Sequence, residues 1–108
     1  MPQLINIKPL TSYVNTPSVR IFQQYAGENM EKLDQYDVWD IVTVLCQAVA
    51  MANMVEVETI DIPEAIEALG DEMEFRDHCK KCLDALNGFP TSQVNSLMAG
   101  ILAVAFEV

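Results

Sequence analysis

The chain has 108 residues, enough for one domain with a core of its own. Hydrophobic residues make up 51% and charged residues only 20%, a balance that excludes a disordered tail. Sixteen Asp and Glu face six Lys and Arg, of which only Lys80 and Lys81 adjoin, and the formal net charge of -10 argues against binding nucleic-acid phosphates or an anionic membrane surface.

Residues 1–15 read as an extended arm, with a short strand-like piece at 3–8, because Pro2 and Pro9 oppose helix. A first helix starts at Thr16-Pro17, where threonine caps and proline loses no needed hydrogen bond, and Gly27 stops it. Asp34 caps a long second helix that reaches to about Val55. Its polar residues, Asp40, Thr43, Gln47 and Asn53, form one narrow stripe, so the helix is expected to be buried on several sides. Alternation and β-branching make 56–60 extended. Asp61-Ile62-Pro63-Glu64 fits a capping box for a short third helix that ends at Gly70. A second such box, Asp71-Glu72-Met73-Glu74, is expected to open a fourth helix with the core stripe Phe75, Cys79, Cys82 and Leu86. Asn87-Gly88 and Pro90 end it, and Thr91 or Ser92 caps a last helix carrying Val94, Leu97, Met98, Ile101, Leu102 and Phe106. The expectation is one all-α domain over 1–108, a compact orthogonal bundle of about five helices, with short extended segments near 3–8 and 56–60.

Chemistry-bearing motifs are few. Cys79-Lys80-Lys81-Cys82 has redox or zinc spacing, but it falls mid-helix, where a thiolate gains nothing from the helix N-terminus. His78 and Cys79 are neighbours on the helix and cannot both face one zinc ion with Cys82. Two small core residues is the better reading of the pair. The single histidine, His78, lies in no nucleophile motif, and phosphate loops, His-Glu-x-x-His and calcium loops are missing from the sequence. No catalytic, cofactor or metal residue is therefore assigned. Three cysteines, an odd number, and a Met1–Pro9 start without a basic stretch and apolar run lead to the expectation of a reducing cytoplasm.

The acids are more informative. Glu28, Glu31, Asp34, Asp37 and Asp40 recur every third residue, and a second group runs from Glu56 to Asp77. Helix N-termini account for Asp61, Glu64, Asp71, Glu72 and Glu74 without any function. The functional alternative is an acidic surface of Glu56, Glu58, Glu64 and Glu67 that meets a basic partner. The last helix is the other unusual feature, since no charge stands between Asp84 and Glu107. It is either the centre of the bundle or a surface for self-association or a partner, assisted by pliable methionines.

One layout ties these segments together: Pro17-Ser18-Val19-Arg20-Ile21-Phe22, the acidic link Glu28-Asn29-Met30-Glu31-Lys32-Leu33, the apolar helix from Val38 to Leu45, the capped helix from Ile62 to Leu69, and Phe75-Arg76-Asp77 leading to Leu86. Over about residues 16–90 it resembles the tail assembly chaperones of long-tailed bacteriophages. The resemblance implies a non-catalytic protein of the host cytoplasm that coats the long helical tape-measure protein and keeps it soluble during tail assembly. An apolar surface for that client is expected at Trp39, Met51, Met54, Leu97, Met98, Ile101 and Phe106. The competing expectation is a small acidic inhibitor that mimics nucleic acid and blocks a host nucleic-acid enzyme.

Overall fold

The computed structural model describes residues 9–70 and 73–106. Five helices follow one another: α1 (Pro17–Ala26), α2 (Gln35–Met54), α3 (Ile62–Leu69), α4 (Asp77–Ala85) and α5 (Val94–Phe106). Single 3-10 turns at Leu10–Ser12 and Thr91–Gln93 precede α1 and α5. The all-α bundle expected from the sequence is the architecture found.

Local side-chain chemistry sets the first three helix starts. Thr16 is extended and its hydroxyl accepts the Val19 N–H at 3.2 Å, with Pro17 at the first helical position. Asp34 and Asp37 form a reciprocal capping box: Asp34 accepts the Asp37 N–H at 2.9 Å, and Asp37 accepts the Asp34 N–H at 3.2 Å. Asp61 accepts the Glu64 N–H at 3.0 Å to open α3. That box is only half made, because Asp61 caps without a returning bond from Glu64.

Two sequence expectations are corrected. The arm is not extended throughout: Leu10–Ser12 make a 3-10 turn, and Leu10 is fully buried. Gly100 on α5 makes room for it, since a Cβ there would lie 2.7 Å from Leu10 Cδ1 and 2.8 Å from Tyr13 Cβ. The segment 3–8 and the residues Asp71 and Glu72 lie outside the described residues. The fourth helix does not begin in the Asp71–Glu74 stretch but at Asp77, after a non-helical Met73–Arg76. Arg76 is held there by Asp37 of α2: Nε donates to Oδ1 at 3.2 Å, and Nη2 donates to Oδ2. The start of α4 has no side-chain cap hydrogen bond and is marked instead by this ion pair to α2.

Packing follows two lines. α1 lies on α4, while α2 lies on α3 and α5, with lesser contact to α4. Val19, Phe22, Ile41, Leu45, Ile62, Leu83, Leu86, Leu97 and Ile101 fill the common core. The extended piece expected at 56–60 is found only in part: Glu56 is a left-handed turn residue at φ +58°, and Glu58–Ile60 form a clasp with Gly88–Thr91. Thr91 N–H donates to Glu58 O (2.8 Å), Ile60 N–H to Phe89 O (3.0 Å) and Gly88 N–H to Ile60 O (2.9 Å), around an antiparallel bridge of Thr59 with Pro90.

Candidate functional site: an uncharged face and an acid-rimmed cleft

α2 buries one side through Asp37, Val38, Ile41, Val44, Leu45, Ala48 and Ala52. Its opposite side is not covered. Tyr36, Trp39, Thr43, Cys46, Ala50 and Asn53, spaced three and four apart along the whole helix, are all exposed. The helix is therefore not buried on several sides, as the sequence suggested, and Asp40 and Gln47 flank the stripe half-buried. No charged side chain interrupts the stripe, and the Thr43 hydroxyl is satisfied by Trp39 O at 2.8 Å.

α5 extends this face. Phe106 stacks on Trp39 with centroids 5.4 Å apart and planes at 29°, and Cys46 Sγ lies 3.7 Å from Met98 Sδ. The pairs 39/106 and 46/98 show that α2 and α5 run antiparallel. Trp39 is 52% exposed, while Met98, Leu102 and Phe106 are half-buried. Leu97 and Ile101, two of the residues expected at a partner surface, are instead fully buried core residues. They lie on the inward side of α5, and a partner cannot reach them in this fold. An apolar helix without a polar stripe carries no phase, which is why the sequence did not separate Leu97 and Ile101 from Met98 and Phe106.

The two remaining methionines lie elsewhere. Met51 and Met54 line a cleft of about 180 Å³ between the C-terminal turn of α2 and the N-terminal turn of α3. Ala48 and Ala52, both buried, line it together with Val55, Val57, Thr59, Asp61 and Glu64. Val55 and Val57 belong to the two-bond backbone cap that ends α2. Val57 N–H reaches back to Ala52 O (3.0 Å) and Glu56 N–H to Asn53 O (3.3 Å), with Glu56 at φ +58°. Such a position usually holds glycine, and its glutamate hid the turn from sequence reading. Met54 is 83% exposed, and Glu56, Glu58, Glu64 and Glu67 are all exposed. The sequence named both the methionines and the glutamates but not that Met51, Met54 and Glu64 share one cleft.

The cysteine pair lies in the core. Cys79 and Cys82 are fully buried, and burial first, then the nearby Asp37 carboxylate, pushes both thiols up to about 12. They are protonated at neutral pH and poor nucleophiles. Among the described residues no group of three or more His, Cys, Asp or Glu is placed to hold a metal ion, and no helix is long and apolar enough to cross a membrane. Comparison of the chain with protein-family models, curated proteins and solved structures returned no match.

Proposed function

We propose that this protein is a non-catalytic binding protein that shields an apolar, largely helical client, the role implied by its resemblance to phage tail assembly chaperones. The observation that carries the reading is the uncharged face of α2, exposed over the length of the helix and continued by Met98, Leu102 and Phe106 of α5. A face of this kind accepts a helix through side-chain contacts at three- and four-residue spacing and tolerates many client sequences. The net charge of -10 keeps the protein itself in solution while that face is open.

The test is suppression of aggregation of the tape-measure protein, followed by light scattering. Trp39→Asp and Cys46→Arg change exposed side chains and should leave the fold intact while weakening protection by about tenfold or more. Protection should change little with salt. A Trp39→Asp protein as protective as the wild type would refute the reading.

A second reading, the acidic inhibitor of a nucleic-acid enzyme, is favoured by one observation. Eleven acids and no Lys, Arg or His stand between Lys32 and Arg76, and Glu56, Glu58, Glu64 and Glu67 are all exposed. It requires binding that high salt abolishes, and loss of binding when those four glutamates become glutamine.

A further inference from the structure

We propose that the cleft between α2 and α3 is a separate docking site for a short basic amphipathic segment of a protein partner. The inference rests on the reading of the chain as a protein-binding domain, but not on the α2–α5 face. The cleft's inner surface is apolar, so it accepts carbon rather than a hydrated ion. Its volume, about 180 Å³, is below the roughly 300–1,000 Å³ of small-molecule sites and suits one or two inserted side chains. Met51 and Met54 are pliable enough to close on an aliphatic or aromatic group.

Charge selects the occupant. Asp61 and Glu64 line the cleft, and Glu56 and Glu58 flank the lining residues Val55 and Val57 in sequence. The C-terminal end of α2 adds the partial negative charge of a helix of 20 residues, with no basic residue in its last turn. The positive end of α3 is already answered by the Asp61 cap. Since α2, α3 and the turn between them contain no Lys, Arg or His, none of the elements that build the cleft supplies a cation. Arg76, the next base along the chain, is committed to Asp37 and Asp34. An incoming segment therefore brings the cations, and a second copy of this acidic chain is repelled.

The experiment uses the full chain and synthetic helical peptides about four turns long. One carries a leucine face and a lysine face, one replaces lysine by glutamate, and one replaces leucine by serine. Binding is followed by amide chemical shifts. The leucine–lysine peptide should bind, moving the signals of Met54, Val57 and Glu64 and leaving Trp39 and Phe106 in place. Asp61→Asn, which retains a capping oxygen, together with Glu64→Gln should weaken binding at least fivefold and flatten its salt dependence. Met54→Ser with Val55→Ser should weaken it by a similar factor. Equal binding of the leucine–glutamate or serine–lysine peptide would overturn the proposal, as would unaltered binding by the Asp61→Asn, Glu64→Gln protein. Shifts confined to Trp39 and Phe106 would also overturn it while leaving the proposed function standing. Retained peptide binding at the cleft with failed client protection would remove the proposed function and leave the cleft.

Discussion

Arg76 grips Asp37 with two nitrogens across 39 positions of sequence, joining an exposed guanidinium to the one buried charged side chain among the described residues. The same nitrogen that meets Asp37 Oδ2 lies 3.4 Å from Asp34 Oδ2, so the α2 cap and the start of α4 share one ion cluster. Both carboxylates raise the Arg76 pKa above its ordinary value, Asp37 most through its hydrogen bond and its charge. Removing the guanidinium leaves the 4% exposed Asp37 carboxylate with the Asp34 N–H but without a counter-charge. Arg76→Ala should lower the urea midpoint clearly. Adding Asp37→Asn, which keeps an acceptor for the Asp34 N–H, should recover part of the loss. Equilibrium unfolding of the two variants decides between an uncompensated charge and lost packing.

The thiols supply a labelling prediction with a pH arm. Cys46 is exposed and should react with a disulfide reagent within the mixing time of an ordinary assay, whereas Cys79 and Cys82 should react only as the protein unfolds. Both buried thiols have folded pKa values of about 12 against 9.0 for the free group. The unfolded chain therefore loses their protons first, and stability falls as pH rises from 9.0 towards 12. Each thiol contributes a slope of about 1.4 kcal/mol per pH unit within that window. Replacing both by alanine should flatten the alkaline limb of a stability–pH curve, although it lowers stability at neutral pH.

Asp40 should behave as a mild internal penalty. Partial burial first, then the Asp37 and Asp34 charges, raise its pKa above 3.8. The folded state thus holds that proton more tightly than the unfolded one. Stability contributed by Asp40 falls as pH rises from 3.8 through the raised folded value, and the deficit persists at neutral pH. Asp40→Asn should raise the melting temperature at pH 7 and have no such effect at pH 3. Melting curves at both pH values test the sign.

Glu56 occupies a left-handed backbone position that an L side chain adopts at a cost. Glu56→Gly should stabilise the protein by about 1 kcal/mol and keep the two-bond cap of α2. If the left-handed turn is what holds Val57 against the cleft, peptide binding should survive this change with only the loss expected from one fewer acid.

What was legible in the sequence was the chemistry that acts within four residues. Thr16-Pro17, Asp34 and Asp61 each announce a helix start because a short side chain answers a nearby N–H. The start of α4 was not legible, because Arg76 is positioned by Asp37 from another helix. Leu10 was read as part of an arm, and only its fit against Gly100 makes it core. The candidate surfaces were half legible. Trp39 and Phe106 were named separately for their apolar character, and their stacking depends on the antiparallel placement of α2 and α5. Met54 and Glu64 were assigned to rival functions, and a turn without glycine brings them to the same cleft.

The hydrogen bonds that tie Glu58–Ile60 to Gly88–Thr91 close the chain on itself, so α3 and α4 leave and return at one point between α2 and α5. Chain length is consequently cheap in one place and dear in another. Residues added to the link between α3 and α4 lengthen a loop whose ends are already pinned, a change that costs only slowly more entropy. One residue more or less at 58–60 or 88–91 should shift Pro90 against Thr59 and so disturb the placement of α5 on α2 that stacks Phe106 on Trp39. Related chains should therefore vary in length after α3 and keep the two short clasp segments constant.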